Sequence, residues 1–246
     1  MSTSRIALVT GANKGIGFET ARQLGAQGLT VLLGARSTER GTEAASQLQA
    51  EGYDVQFVHL DVTNSDHIQA AVQHIADTYG RLDVLVNNAG VQIESNDWGI
   101  NNAATLPVDT LRDTFDINFF GLIELTQALL PLLEKSDAGR IVNVSSILGS
   151  LTLHAQPGSP IYGSKLLAYN ASKTALNQFT IHLAAQYRDA ALRVNSAHPG
   201  WVQTDMGGEE ATMDTETGAK TIVGLTAADT HVPNGAYEHL GEQLPW

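Results

Sequence analysis

The chain has 246 residues, no cysteine, and 26 Asp and Glu against 14 Lys and Arg, which gives a formal charge of −12. An acidic surface of this strength repels phosphate backbones and anionic lipids, so we expect neither a nucleic acid nor a membrane as a partner. Without cysteine, disulfides and thiol chemistry are excluded. Because the first residues do not resemble a signal peptide and no apolar run approaches the roughly 18 residues of a spanning helix, we expect a cytoplasmic protein.

Short apolar runs alternate along the chain with segments of helical period. The predicted strands are residues 6–10, 30–33, 55–60, 82–86, 140–145 and 192–197, with a short seventh at 235–240. The predicted helices are residues 15–27, 39–51, 66–78, one or two stretches within 107–133, and 168–189. Such alternation is typical of βαβ units, and near-continuously apolar strands are typical of parallel strands that helices cover on both faces.

These elements predict a single α/β domain over residues 1–246, a Rossmann fold whose doubly wound parallel sheet has about seven strands. An eight-stranded α/β barrel also fits this length, but the strand count and a glycine-rich loop after the first strand favour the open sheet. No linker, internal repeat or low-complexity segment divides the sequence.

The glycine-rich loop at residues 10–17 links the first strand to the first helix and reads TGANKGIG. Glycines let backbone N–H groups approach a pyrophosphate closely, and the helix N-terminus adds partial positive charge. The spacing GxxxGxG differs from the general GxGxxG fingerprint, so the loop alone is a moderate signal for a dinucleotide. Its candidate cofactor-binding residues are Gly11, Asn13, Lys14, Gly15, Ile16 and Gly17.

The second strand ends in Gly34-Ala-Arg-Ser37, where an NAD site carries an acidic residue for the ribose 2′-hydroxyl. Arg36 would meet a 2′-phosphate instead, and Lys14 is within reach of the same group. Two cations without a carboxylate favour NADPH over NADH. Asp61, with Val62, closes the third strand and is a candidate for the adenine end of the cofactor, although a turn or helix-capping role is the alternative for Asp61.

Tyr169 and Lys173 lie at i and i+4 on a predicted helix, so their side chains share a face. A free phenol has a pKa near about 10, and a neighbouring ammonium lowers that pKa. The pairing therefore predicts a tyrosine that exchanges a proton at working pH. The pattern YxxxK is weak alone, because it occurs by chance on many surface helices.

In combination, the motifs resemble those of the short-chain dehydrogenase/reductases, in the right order and over nearly the whole chain. The loop sequence GANKGIG, with GAR after the second strand, is similar to the NADPH-dependent carbonyl reductase branch. Beyond the loop at 10–17, the matching positions are Asn87, Asn88, Ala89, Gly90, Asn118, Ser146, Tyr169, Lys173, Pro199, Gly200, Val202 and Thr204.

The resemblance implies NADPH as the cofactor and a small-molecule carbonyl compound as the substrate. It implies that Tyr169 protonates the carbonyl oxygen as hydride arrives from the nicotinamide, and that Ser146 orients that oxygen. It further implies that Lys173 holds the nicotinamide ribose and lowers the pKa of Tyr169, and that Asn118 supports a water that relays protons to Lys173. Of the matching positions, Asn88, Ala89, Gly90, Tyr169, Lys173, Pro199, Gly200, Val202 and Thr204 would contact the cofactor.

Two other functions stay open, namely an alcohol dehydrogenase acting mainly in oxidation and a non-catalytic NADP-binding regulator. The oligomeric state, monomer or homo-oligomer, also stays open. No metal site is expected, because the eight histidines show no metal-ligand spacing.

One departure from the family pattern concerns the segment between Ser146 and Tyr169, which carries extra residues. Tyr162, with Lys165 three residues later, lies nearer the usual distance from Ser146 and is a rival for the catalytic tyrosine. We favour Tyr169, because its lysine is at i+4 and the following residues continue in helical period. Tyr162 closely follows Pro160 and is then a candidate for the substrate mouth.

Residues 91–107 and 201–217 follow strand ends and are the predicted substrate loops. Ligands of open α/β sheets bind outside the carboxyl ends of the strands, so these loops are candidates for an apolar pocket and a lid. Ordinary packing of loop side chains is the alternative. The apolar residues concerned are Ile93, Trp98, Trp201, Met206 and Met213, with Trp246 at the end of the chain.

Overall fold

The computed structural model describes residues 4–95 and 97–246 and has one eight-stranded sheet at its centre. The strands are β1 (Ile6–Thr10), β2 (Thr30–Ala35), β3 (Val55–His59), β4 (Val84–Asn87), β5 (Arg140–Val144), β6 (Arg193–Ala197), β7 (Tyr237–His239) and β8 (Glu242–Gln243). Their order is β3-β2-β1-β4-β5-β6-β7-β8, with β1 to β7 parallel. The predicted doubly wound Rossmann fold is confirmed.

The sheet has eight strands where the sequence predicts about seven, because the chain turns back after β7 to form β8. This last strand is antiparallel to β7, with Glu238 opposite Gln243 and His239 opposite Glu242. The turn between them places Leu240 at φ 49° and Gly241 at φ 82°. Two residues of strand are too short to show an alternating pattern in the sequence.

Eight α-helices lie in the described part of the chain. They are α1 (Gly15–Ala26), α2 (Thr38–Ala50), α3 (Ser65–Tyr79), α4 (Val108–Phe115), α5 (Gly121–Leu133), α6 (Leu151–Ala155), α7 (Leu167–Gln186) and α8 (Thr215–Leu225). A π-helical turn, Asp116–Phe120, joins α4 to α5. Helices α6 and α8 were not predicted, although Asp214 caps α8 by accepting a hydrogen bond from the Thr217 amide at 2.7 Å.

The core lies in two layers, one on each face of the sheet. Alternate residues of β1 show the division, since Ala7 and Val9 pack into one apolar cluster and Ile6 and Leu8 into the other. The first cluster includes buried residues of α1, α2 and α8, and the second includes those of α3, α5 and α7. Burial on both faces explains why the strands are near-continuously apolar.

Among the described residues, the helical segment Val108–Leu133 is long enough to cross a membrane, and a window of 18 residues within it reaches the necessary mean hydropathy, 1.2. The prediction that no segment approaches this property is therefore too strict. Leu125, Leu129 and Leu133 of this segment are fully buried in the core on the sheet. Packing on the sheet accounts for their apolar character.

Gly121 begins α5 where the helix passes close to the backbone after β3. A Cβ atom added to Gly121 would lie 2.2 Å from the carbonyl oxygen of Val62. We expect Gly121→Ala to destabilise the fold by about 1–3 kcal/mol, since backbone atoms must shift. In thermal denaturation Tm would fall by about 3–10 °C.

The matched control for Gly121→Ala is Gly224→Ala in α8. Gly224 is exposed, and an added Cβ would meet nothing within 4 Å. That variant is expected to keep or raise Tm, because alanine favours a helix over glycine by roughly 0.5–1 kcal/mol. Equal Tm changes in the two variants would contradict the close contact at Gly121.

Candidate active site

The structure brings the four predicted catalytic residues together at the carboxyl ends of the central strands. Ser146 follows β5, Tyr169 and Lys173 lie in the first two turns of α7, and Asn118 lies in the π-helical turn. Their side chains come from three separate parts of the chain. All four residues are buried, with Tyr169 and Ser146 only 7% and 9% exposed.

Lys173 lies against the ring of Tyr169, as the i, i+4 spacing predicts. Its Nζ atom is 5.7 Å from the centre of the ring and donates a hydrogen bond of 2.8 Å to the carbonyl oxygen of Val144. Burial lowers the pKa of Lys173 to about 8. The ammonium is therefore easier to deprotonate than an exposed lysine.

The pKa of Tyr169 shifts in the direction opposite to the sequence prediction. Burial raises the pKa of the phenol to about 12, and a hydrogen bond with the Ser146 hydroxyl opposes this only in part. Removal of water from around the phenolate is the larger of the two effects. The phenol accordingly holds its proton at neutral pH.

Asn118 ties the start of the 91–107 loop to α7. Its Nδ2 atom donates to the carbonyl oxygen of Val91 at 2.9 Å and to the hydroxyl of Ser172 at 3.0 Å. The Val91 amide donates back to Oδ1 at 2.8 Å. The wider π-helical turn thus orients a fully buried amide into the site, a frequent place for such turns.

The rival tyrosine has different surroundings. Tyr162 is 45% exposed and lies between α6 and α7, outside any helix. Lys165 lies over its ring at 4.7 Å but donates to the carbonyl oxygen of His154 at 3.0 Å. The contact of Tyr169 with both Ser146 and Lys173 makes it the stronger candidate for an acid–base group.

The phosphate loop has the shape that a dinucleotide needs. Gly11 and Gly15 adopt φ values of 63° and 58°, in the left-handed region that favours glycine. A Cβ atom on Gly17 would lie 2.4 Å from Nδ2 of Asn88 and 2.6 Å from the carbonyl oxygen of Gly11. Helix α1 has no acidic residue in its first turn, so its N-terminus is open to an anion.

Basic residues surround the place where the end of β2 faces α2. A shallow cavity of about 300 Å³ beside the loop is lined by Asn13, Lys14 and Arg40 among others, and Arg36 is exposed at the end of β2. Arg40 was missed in the sequence because it lies within the predicted second helix, one turn beyond Arg36. These cations fit a 2′-phosphate.

Lys14 also makes an exposed ion pair with Asp205, at 2.5 Å, which links the phosphate loop to residues 201–217. Exposed pairs of this kind are weak, so a bound phosphate can compete for the ammonium.

Asp61 is held in a local turn. Its Oδ1 atom accepts hydrogen bonds from the amide and hydroxyl of Thr63, at 3.0 and 2.8 Å. Burial alone would raise the pKa of Asp61, but these bonds and the charge of Arg36 lower the pKa below its usual value. The turn role that the sequence left open is thus present, and contact of Asp61 and Val62 with adenine stays a prediction.

Several of the other predicted cofactor-binding residues lie close to the phosphate loop or to Lys173. A Cβ atom on Gly90 would be 3.4 Å from Nζ of Lys173, and one on Gly11 would be 3.0 Å from Cα of Ala89. On the opposite side, a Cβ on Gly15 would be 3.3 Å from Cγ2 of Thr204. The segment after β6 that holds Pro199, Gly200, Val202 and Thr204 therefore approaches the phosphate loop.

Two residues outside the predicted set contact the catalytic residues. The carboxylate of Glu94 accepts a hydrogen bond of 2.8 Å from the backbone amide of Tyr169, and the hydroxyl of Tyr237 donates to the backbone carbonyl of Ser146. Helix α7 has no side-chain cap of its own, and an uncapped helix N-terminus needs an acceptor from elsewhere. In the sequence, the lack of a capping residue before α7 is the one sign that a side chain such as that of Glu94 contacts the start of the helix.

One of the predicted loops places an apolar side chain against Tyr169. The ring of Trp98 meets that of Tyr169 edge-on, with centres 6.0 Å apart. Ile93, Trp201 and Met206 are 49%, 46% and 38% exposed. Met213 instead packs on Gly200, because a Cβ there would lie 2.2 Å from its sulfur.

Comparison with known proteins places this arrangement in a family. The family described as short chain dehydrogenase matches residues 5–215. Carbonyl reductase (NADPH) 1 of Mus musculus is 35% identical over 291 aligned positions that cover all of both chains. NADPH-bound carbonyl reductase from chicken fatty liver has a TM-score of 0.85 at 26% identity over 99% of each chain.

A second solved structure, salutaridine reductase from Papaver somniferum, has a TM-score of 0.79 at 30% identity and covers 95% of this chain and 99% of that one. The family match spans more than four fifths of the chain, and the similarity to the carbonyl reductases extends over its full length. The chain is therefore a member of the short-chain dehydrogenase/reductase family, similar to its carbonyl reductases.

Proposed function

We propose that the protein is an NADPH-dependent reductase that converts a ketone or an aldehyde to an alcohol. The observation that carries this proposal is the burial of Tyr169, Ser146 and Lys173 against one another beside a glycine cradle lined with cations. The mouse and chicken relatives are carbonyl reductases, one named for NADPH and the other solved with it. Fold, cofactor cradle and proton donor thus support the same reaction.

Lys14, Arg36 and Arg40 would hold the 2′-phosphate of NADPH, while the N-terminus of α1 and the loop glycines would hold its pyrophosphate. The bound cofactor supplies a hydride to the carbonyl carbon. Lys173, whose Nζ atom lies beside Gly90, would hold the hydroxyls of the nicotinamide ribose. Asn118 would keep the backbone at Val91 and the helix at Ser172 in place beside them.

Tyr169 would donate the proton that the carbonyl oxygen needs as its charge develops. Ser146 hydrogen-bonds the phenol and would hold the same oxygen in line. One carbonyl compound, one NADPH and one proton then give one alcohol and one NADP⁺. Lys173, with a pKa of about 8, would help to return a proton to the phenol.

The protonated form of Tyr169 is the one that reduction uses. Reduction needs a protonated phenol as acid, whereas oxidation of an alcohol needs a phenolate as base. Because burial raises the pKa of Tyr169 to about 12, the acid form is present at neutral pH.

A purely regulatory protein would not require a buried phenol and a buried ammonium, which are both unfavourable to bury.

The direct test is an assay of the purified protein for NADPH oxidation with a panel of ketones, aldehydes, diketones and quinones, repeated with NADH. We expect turnover with at least one carbonyl class, and a lower KM for NADPH than for NADH. NADPH binding without turnover of any compound, in either direction, would support the regulator instead. Turnover only of alcohols with NADP⁺ would support the dehydrogenase.

Reversal of the charge at Arg36 tests the cofactor assignment. We expect Arg36→Asp to raise the KM for NADPH by about 10- to 100-fold, because a charge-assisted hydrogen bond contributes about 1.5–3 kcal/mol. The KM for NADH would change little. Arg188→Asp makes the same charge change at an exposed position in a different cavity and is the control. Equal effects of both variants on NADPH would contradict a specific phosphate contact at Arg36.

A further inference from the structure

A second tyrosine, Tyr237, contacts the backbone of the candidate catalytic serine, Ser146. Tyr237 begins β7 and is fully buried. Its hydroxyl donates to the backbone carbonyl of Ser146, 91 positions earlier in the sequence. The same carbonyl accepts from the Gly149 amide at 2.7 Å. Two donors from different elements therefore fix the orientation of the peptide group at Ser146.

The ring of Tyr237 is itself held on one side by the end of the chain. It stacks on Trp246, with ring centres 5.2 Å apart and planes 23° from parallel. The carbonyl oxygen of Trp246 accepts from the Thr152 amide at 3.1 Å and the Ser150 hydroxyl at 3.3 Å. Trp246 is thus hydrogen-bonded to the segment that follows Ser146.

The surroundings of the phenol keep it a donor. Burial raises the pKa of Tyr237 above its usual value, and the nearby side chains of Asn177 and Ser145 offset this only in part. The neighbouring phenol of Tyr169 adds to the rise. The hydroxyl of Tyr237 therefore stays protonated over the working pH range, and its proton is directed to Ser146.

We propose that Tyr237 is a positioning residue that holds Ser146 in the orientation from which its hydroxyl meets Tyr169 and the carbonyl substrate. This inference rests on the proposed function for its effect on turnover. After β5 the backbone at Ser146 enters a single 3₁₀ turn, Ile147–Gly149, and the Leu148 amide of that turn donates to the Ser146 hydroxyl at 3.2 Å, so the placement of the turn sets the orientation of the hydroxyl. Misplacement of a reacting group by about 1 Å is enough to lower a rate by about 10²-fold.

Tyr237→Phe removes only the hydroxyl and keeps the ring on Trp246. We expect kcat to fall by about 10-fold or more, with the Kd for NADPH unchanged within about 2-fold. Tyr187→Phe is the matched control, since it removes a hydroxyl that donates to Glu134 at the surface, at the opposite end of α7 from Tyr169. That control is expected to keep wild-type kcat.

A double-mutant cycle with Ser146→Ala separates positioning from general stability. If Tyr237 acts through Ser146, Tyr237→Phe has little further effect on kcat in the Ser146→Ala background. Equal fold-losses in both backgrounds would overturn the proposal. Should Tyr237→Phe not fold, Trp246→Ala loosens the same ring, and its smaller loss of kcat must likewise vanish without the Ser146 hydroxyl.

Crystal structures of wild type and Tyr237→Phe without ligands give a readout that is independent of activity. We expect the Ser146 hydroxyl oxygen to move by more than about 0.5 Å in the variant, a displacement beyond what a productive site tolerates. An unchanged Ser146 would overturn the positioning role even if the enzyme were active. A displaced Ser146 in a protein without reductase activity would instead support the role and reject the proposed function.

Discussion

Replacement of Tyr169 by Phe is expected to lower kcat by about 10²- to 10⁴-fold, the usual contribution of a positioned acid. The ring, its edge-on contact with Trp98 and the position of Lys173 would persist, so the Kd for NADPH is expected to stay within a few-fold of wild type. Steady-state kinetics with cofactor titration by fluorescence would measure both quantities.

The control for this prediction is Tyr162→Phe, at the rival tyrosine. Tyr162 is half-exposed and contacts Lys165 outside any helix, so its variant is expected to keep kcat within a few-fold. If Tyr162→Phe lost turnover while Tyr169→Phe stayed active, the assignment would be wrong. Tyr162, which lies nearer the usual distance from Ser146 in the sequence, would then be the catalytic tyrosine.

Replacement of Lys173 by Met is expected to abolish most activity and yet to raise stability at neutral pH. Burial lowers the pKa of Lys173 from 10.5 to about 8, a difference that corresponds to about 3 kcal/mol. Methionine has a similar size and no charge, and the lost hydrogen bond to Val144 offsets about 1 kcal/mol of the gain. We therefore expect Tm to rise by roughly 4–8 °C at pH 7.

The stability difference between Lys173→Met and wild type is expected to depend on pH. Between pH 8 and 10.5 the unfolded chain binds more protons at Lys173 than the folded chain does, so the wild type gains stability as pH rises through that window. The advantage of Lys173→Met should therefore shrink from pH 7 to pH 10. Lys135→Met, at an exposed lysine, is the control and should show no such trend. A variant less stable than wild type at pH 7 would contradict the unfavourable burial of Lys173.

The sheet and the cradle could be predicted because their signals are local. Apolar strands, glycines at φ-positive positions and the i, i+4 pair Tyr169 and Lys173 each lie within one stretch of sequence. The sequence does not predict helix α8, because the helix begins in a segment rich in glycine, threonine and acidic residues that is typical of a loop. Its cap, Asp214, was visible but is no stronger a signal than the same residue in a turn.

The contacts that tune the site could not be predicted in this way. Glu94 reaches the amide of Tyr169 across 75 positions, and Tyr237 reaches Ser146 across 91. Neither residue belongs to a motif, because a hydrogen bond to the backbone leaves no pattern at the partner position. The direction of the Tyr169 pKa shift is predicted wrongly for a related reason, since the spacing shows that a lysine is near but not how deeply the phenol is buried.

The most direct test of the whole account is a crystal structure with NADP⁺ and an unreactive carbonyl compound bound together. We predict the phenolic oxygen of residue 169 within about 2.6–3.2 Å of the carbonyl oxygen, with Ser146 contacting the same atom. A complex in which that phenol faces away from the nicotinamide, and another group contacts the carbonyl oxygen, would contradict the assignment of Tyr169 as the proton donor.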